Sequence, residues 1–413
     1  MNKSEHLLRN ISLFLISLFI IWFLLPIVRF YFSGGITNLI MAFILFFWAI
    51  IMFLLFKGKK IIYHKCLIFV LINILFYLFN FILHLNGNIG EFIKMGVMYF
   101  FPLFIFFAYY ILKDRKALKY LFYLSIICIV ITLIPTLIEL IKDPTSLRWM
   151  AYYSSMNLDT QLIKRKFNIG DFSFIYGLIF LIPILYFMIF KKKKYKIIYL
   201  LLLVLVVITV FKASFSIAII LSLISLIVCI VNFYFNNKKI NLIISYLIIG
   251  LIGLVFLFPN ILYYVSGLIN NSFVSERINE IASFILNFNN LSGDLGSRME
   301  LYAISYNTFI KHFFTGIGGY YYALNIPIGY HSQILDDMAR YGIFYFINTI
   351  LFIIYYRKFL CKILIKRTQF IKTINIMLIL YFILLLLNPV YLCAWVSTIL
   401  FLVLPCSLLM EDD

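Results

Sequence analysis

The residue in this sequence best suited to move a proton is His331. It opens the stretch His-Ser-Gln-Ile-Leu-Asp-Asp, directly before an apolar run. An imidazole can take a proton from a hydroxyl group near neutral pH, so His331 is a candidate general base. The alternative is that His331 only caps a helix.

Arg298 is the candidate for binding an anion. A guanidinium group pairs with two oxygens of a phosphate or a carboxylate. Ser297 and Glu300 fit a capping box, which predicts that a helix begins at Ser297. The first turn of a helix offers free backbone N–H groups and a favourable dipole, so this end would suit a pyrophosphate.

Other cations lie in or beside two long polar segments, 143–171 and 259–333, and at a hairpin tip after Phe211. They are Arg148, Lys164, Arg165, Lys166, Lys212, Arg277, Lys311, His312 and Arg340. As a set they favour an anionic ligand. The alternative is solvated charge, because long loops outside a membrane tolerate basic residues. His312 lies on the polar face of a predicted amphipathic helix, and we leave it out of the site.

Two pairs of carboxylates have simpler explanations than catalysis or metal binding. Asp336 and Asp337 lie in the first turn of a predicted helix, where they offset the dipole, and Asp336 can pair with Arg340. A catalytic role is the alternative. Glu276 and Glu280 share one helical face, but no matching ligand joins them, so we expect no metal site. The six cysteines include no Cys-x-x-Cys pair.

The elements that must position these residues are membrane helices. Of 413 residues, 64% are hydrophobic, and the mean hydropathy is +1.05. A span needs about 20 mostly apolar residues, and such runs predict an all-α, polytopic membrane bundle of about 12 helices, forming one domain over residues 1–413. They lie near 11–28, 36–56, 61–85, 91–112, 118–141, 172–190, 195–211, 213–235, 240–258, 334–356, 371–388 and 390–410.

Clusters of lysine and arginine occupy alternate connections between these predicted spans. The positive-inside rule makes that side cytoplasmic, so both termini face the cytoplasm. The segments 143–171 and 259–333 then lie outside, and the second contains amphipathic helices predicted near 275–288 and 297–314. Because the formal charge of +19 sets orientation in the bilayer, it does not indicate nucleic acid as a partner.

The second polar segment also follows the pattern of a known family. In order, it contains Ser297-Arg298, Tyr302, Phe309, Gly316-Ile317-Gly318, His331-Ser332, Leu335 and Tyr341-Gly342-Ile343. This order, before a late span, resembles the bacterial O-antigen and capsule polymerase/ligase superfamily. Two departures are Lys212 at a turn where many members have Ser-Arg, and Phe313-Phe314 where members often have a proline.

The resemblance implies a repeat-unit polymerase, which is a metal-independent membrane glycosyltransferase without a cofactor. Donor and acceptor would be oligosaccharides on undecaprenyl diphosphate, at the outer face of the cytoplasmic membrane. It implies that His331 deprotonates an acceptor hydroxyl and that Arg298, with Lys212 and Arg277, binds the donor diphosphate. Arg165 would bind the diphosphate of the acceptor. Besides the lipid bilayer, the implied partners are a chain-length regulator and a flippase of the same pathway.

Two alternatives stay open. A ligase of the same superfamily would pass the finished glycan to a different acceptor, using similar residues. A lipid-linked oligosaccharide flippase is also a multi-span protein of similar size. A cargo path favours charged residues inside helices, whereas the predicted spans here are nearly uncharged.

Overall fold

The structure is a computed structural model, and every regular element in the part of the chain that it describes is a helix. That part comprises residues 3–32, 34–57, 64–83, 92–147, 163–191, 195–234, 293–317, 328–364 and 368–410, together with 264, 266–268, 275, 279 and 282–283.

The helices follow the apolar runs of the sequence. In chain order they are α1 (Lys3–Leu24), α2 (Pro26–Tyr31), α3 (Gly35–Phe56), α4 (Lys65–Leu83), α5 (Phe101–Ile111), α6 (Arg115–Lys142), α7 (Phe172–Lys191), α8 (Lys196–Lys212), α9 (Ser216–Tyr234), α10 (Gly293–Lys311), α11 (Gln333–Tyr341), α12 (Ile343–Ile363), α13 (Thr368–Leu387), α14 (Ala394–Thr398) and α15 (Leu404–Leu409). Wider π-helical turns span Phe92–Met98, before α5, and Ile399–Val403, between α14 and α15.

Six helices among the described residues are long and apolar enough to cross a membrane: α1, α3, α6, α7, α12 and α13. Shorter apolar helices accompany them in α4, α5, α9 and the segment from α14 to α15. The described helices therefore fit a helical membrane protein, because helices satisfy their own backbone groups in lipid. The predicted span at 240–258 lies outside the described residues.

Helices α3 and α7 show the two environments of this bundle. In the most apolar stretch of α7, 94% of the residues are buried, against 17% in that of α3. Helix α7 packs against α8, α9, α13 and α14, and a Cβ on Gly177 would lie 2.8 Å from Cβ of Trp395. The small residue thus lets two helices approach closely. Helix α3 instead exposes apolar side chains such as Phe43 and Phe53, as a lipid-facing helix does.

The predicted single helix at 334–356 is wrong, because the chain forms two helices that meet at Gly342. This glycine has φ +75°, and a Cβ there would lie 2.1 Å from the carbonyl oxygen of Phe314. Residues with a side chain rarely adopt this backbone conformation. The backbone of Phe314 also occupies the space that a Cβ at position 342 would need. The short helix α11 therefore stands apart from the apolar helix α12.

The predicted helix start at Ser297 is also wrong. Helix α10 begins at Gly293, so Ser297 lies in its second turn and does not cap it. A Ser and a Glu three residues apart occur inside helices as well as at their ends, and the pattern alone does not separate the two. Arg298 therefore lacks the free backbone N–H groups that a helix start would have provided.

Candidate active site

The segment that carries His331 lies directly on helix α10. The backbone N–H of Gly329 donates a hydrogen bond to Ser305 Oγ over 2.8 Å. A Cβ on Gly329 would lie 2.0 Å from the carbonyl oxygen of Leu301. Only glycine permits this approach, so the segment before His331 is fitted to the backbone of α10.

Asp336 binds the backbone on both sides of His331. Its Oδ1 accepts hydrogen bonds from Ser305 Oγ at 2.6 Å and from the N–H of Tyr330 at 3.2 Å. Its Oδ2 accepts from the N–H of Ser332 at 3.2 Å. Burial raises the pKa of the Asp336 carboxyl, and the hydrogen bond from Ser305 opposes that shift.

His331 is half-buried and does not cap α11. Ser332 is the cap, because its hydroxyl accepts the N–H of Leu335 at 3.2 Å. His331 Nδ1 lies 3.2 Å from the carbonyl oxygen of Gly329. A carbonyl oxygen can only accept, so this hydrogen bond assigns the proton of the neutral ring to Nδ1 and leaves Nε2 as an acceptor. In that tautomer, Nε2 has the free lone pair that a general base uses.

Arg298 lies at the turn that follows helix α13. Its Nη1 donates to Asn388 Oδ1 at 3.5 Å, and its charge lies within electrostatic reach of Tyr176 and Tyr302. The hydroxyl of Tyr302 donates to the carbonyl oxygen of Leu387 at 2.9 Å. Two neighbouring turns of α10 therefore hold the same turn of the chain.

Helix α11 also contacts that turn. The N–H of Gln333 donates to the carbonyl oxygen of Asn388 at 3.2 Å, and the N–H of Tyr391 donates to Gln333 Oε1 at 3.0 Å. Asn388 thus contacts both Arg298 and Gln333. Gln333 begins α11, two residues after His331 in the chain.

Asp337 faces away from the His331 segment. Its Oδ1 accepts from the hydroxyl of Tyr77 on α4 at 3.0 Å, and its Oδ2 accepts from Gln333 Nε2 at 2.8 Å. Burial raises the pKa of Asp337 to about 7, against the opposing charge of Arg340. This contact ties α11 to α4.

Lys212 lies at the end of α8 and is exposed. The chain turns after it at Ser214, with φ +57°, so the predicted hairpin between two helices is present. The ring of Phe215 in this turn lies 6.1 Å from that of Tyr176, which is itself close to Arg298. Phe215 of this turn and Arg298 therefore both lie near Tyr176.

Arg165 lies near Arg29. It is exposed, and Arg29 in the short helix α2 is within electrostatic reach of both Arg165 and Asp171. Arg277 lies outside the described residues, as do Glu276 and Glu280. In the part of the chain that is described, no three His, Cys, Asp or Glu side chains come together in a way that could hold a metal ion.

Three residues of this arrangement were not singled out by sequence reasoning: Ser305, Asn388 and Arg29. Ser305 follows Arg298 by two helical turns and so lies on the same face of α10. Asn388 is a polar residue at the end of an apolar run. Arg29 follows the first apolar run on the side predicted to be external. These signals are available in the sequence, but many residues share them.

A comparison with protein-family models found no match, and a comparison with curated proteins found none either.

Proposed function

We propose that the protein is a polysaccharide polymerase, a membrane glycosyltransferase that joins oligosaccharide repeat units carried on undecaprenyl diphosphate, for capsule or O-antigen biosynthesis. The observation that carries the proposal is the setting of His331. Its Nδ1 meets the carbonyl oxygen of Gly329, its Nε2 is left to accept a proton, and the helix on which this segment rests carries Arg298. The family resemblance of the segment supports the same reading.

In the proposed reaction, His331 Nε2 takes the proton of an acceptor sugar hydroxyl. The oxygen attacks the anomeric carbon of the donor glycan, and a glycosidic C–O bond forms as the C–O bond to the diphosphate breaks. Undecaprenyl diphosphate leaves with the bonding electrons, and His331 returns its proton to solvent. The donor already carries its leaving group, so no nucleotide sugar is consumed.

In this proposal, Arg298 stabilises the charge that grows on the leaving diphosphate. Arg298 and Ser305 are seven residues apart on α10, which is about 10 Å along a helix. Ser305 contacts Gly329, two residues before His331. That spacing suits a donor whose diphosphate binds Arg298 while its sugar reaches His331. Lys212 is the second cation in this proposal, Arg277 a third, and Arg165 serves the acceptor diphosphate.

The proposal includes a topology of about 12 spans in the cytoplasmic membrane, with both termini in the cytoplasm. Alternating basic clusters in the sequence support it. The segments 143–171 and 259–333, and with them the active site, are then extracytoplasmic. A chain-length regulator and a flippase of the same pathway are the proposed protein partners.

The test is reconstitution of the purified protein with a synthetic polyprenyl-diphosphate repeat unit and no nucleotide sugar. A polymerase produces a ladder of longer glycans on the lipid. Transport of the lipid-linked unit across vesicles without any ladder would overturn the proposal in favour of a flippase. Transfer of single units only to an added foreign acceptor would overturn it in favour of a ligase.

A further inference from the structure

We propose that Asp336 is the positioning residue for His331, and that Ser305 on α10 completes this clamp. The inference rests on the proposed function and deepens it, because it names the groups that aim the proposed base. We call the side chains of Asp336 and Ser305 the Asp336 clamp.

The clamp accepts hydrogen bonds from the backbone N–H groups on both sides of His331. The N–H of Gly329 donates to Ser305 Oγ, and those of Tyr330 and Ser332 donate to the two oxygens of Asp336. Ser305 Oγ in turn donates to Asp336. The backbone is thus held directly before and directly after the ring-bearing residue, and the carbonyl of Gly329 that orients the ring is part of the held segment.

Tyr330 shows why this segment needs to be held. Its φ is +58°, a left-handed conformation that is rare and strained for a bulky side chain. Such a conformation persists only where the surroundings impose it. Here Asp336 accepts the N–H of Tyr330, and the guanidinium of Arg340 lies 5.2 Å from the centre of its ring.

Stabilising α11 alone does not explain the clamp. Ser332 already caps that helix through Leu335. Of the hydrogen bonds that Asp336 accepts, those from Ser305 and Tyr330 come from outside α11. Ser305 and Asp336 are buried, at 0% and 4% exposure, so water competes little for these hydrogen bonds.

The experiment measures kcat and KM for glycan extension by purified Asp336→Asn and Ser305→Ala proteins. Asn offers one acceptor oxygen where Asp offers two, and Ala removes the link to α10. Because misplacing a reacting group by about 1 Å costs on the order of a hundredfold in rate, we expect kcat to fall about tenfold to a hundredfold in each variant. KM should change less than about twofold. The double variant should lose no more kcat than the more impaired single variant, because both substitutions break the same clamp.

Asp337→Asn is the matched control, because it changes the next carboxylate, which contacts Tyr77 and Gln333. It should keep the kcat of the unmodified protein. If Asp336→Asn also keeps that kcat, or if the losses of the two single variants multiply in the double variant, the positioning role is wrong.

The failure of this inference is distinguishable from failure of the proposed function. A His331→Ala protein that still extends glycans normally would defeat the proposed function itself. A His331→Ala protein that is inactive, beside Asp336→Asn and Ser305→Ala proteins that are fully active, would defeat the clamp alone.

Discussion

Ser305 Oγ on α10 lies 2.6 Å from Asp336 Oδ1 on α11. This hydrogen bond joins the helix that carries Arg298 to the segment that carries His331. Ser305 and Asp336 are 31 positions apart in the chain. The two side chains with the most evident chemistry are therefore linked through a buried polar contact.

Arg298 should matter for its planar donors as well as for its charge. Replacing Arg298 with Lys keeps the charge and loses paired hydrogen bonding, so we expect kcat/KM for glycan extension to fall about tenfold. Replacing it with Ala should lower kcat/KM about a hundredfold. Lys311→Ala is the control, since Lys311 is an exposed cation at the end of the same helix. Equal activities for Arg298→Ala and Lys311→Ala would contradict the assignment.

Gly329→Ala should destabilise the protein and displace the His331 segment. The added Cβ would lie 2.0 Å from the carbonyl oxygen of Leu301, and backbone cannot yield as a flexible side chain does. We expect a loss of about 1–3 kcal/mol in the free energy of unfolding, by thermal unfolding in detergent. At Gly35, where a Cβ meets nothing within 4 Å, the same substitution should be neutral. Identical unfolding of the two variants would refute this prediction.

The stability of the protein should depend on pH through Asp337. Burial raises the pKa of this carboxyl from 3.8 to about 7, so the folded protein keeps a proton that the unfolded chain releases. The stability this proton provides is full below about pH 4 and is lost as pH rises through about 7, with a total on the order of 4 kcal/mol.

Asp337→Asn removes this titration, and melting temperatures at pH 5 and pH 8 provide the measurement. The unmodified protein should lose more stability than the variant between these two values. The pKa of Asp336 is also raised, and its charge acts on Asp337, so the difference between the two proteins includes the interaction of these two carboxylates. Parallel pH curves for the two proteins would show that Asp337 does not carry the effect.

Long apolar helices such as α3 and α7 could be predicted from the sequence, because apolar length alone determines whether a helix suits a membrane. Which of them lies in the interior could not, since both read as continuous apolar runs. The break at Gly342 could not be predicted either, because it also depends on tertiary packing. It depends on the backbone of Phe314 occupying the space beside it, and no local pattern encodes that contact.

The candidate residues of the site could be picked from the sequence more easily than the contacts that hold them. His331 and Arg298 stand out by residue type, and the hairpin at Lys212 by its interruption of an apolar run. The contacts that place them join Gly329 to Ser305, 24 positions apart, and Arg298 to Asn388, 90 positions apart. Tertiary packing brings these residues together, so their partnership appears only in the folded chain.

The most direct test of the account compares His331→Ala with His312→Ala in the ladder assay on a polyprenyl-diphosphate repeat unit. Both variants remove one histidine, and His312 is exposed at the end of α10. Loss of a general base should lower the rate of extension about a hundredfold to ten-thousandfold, so His331→Ala should show only the starting unit while His312→Ala shows the full ladder. A full ladder from folded His331→Ala protein would contradict the role assigned to this histidine.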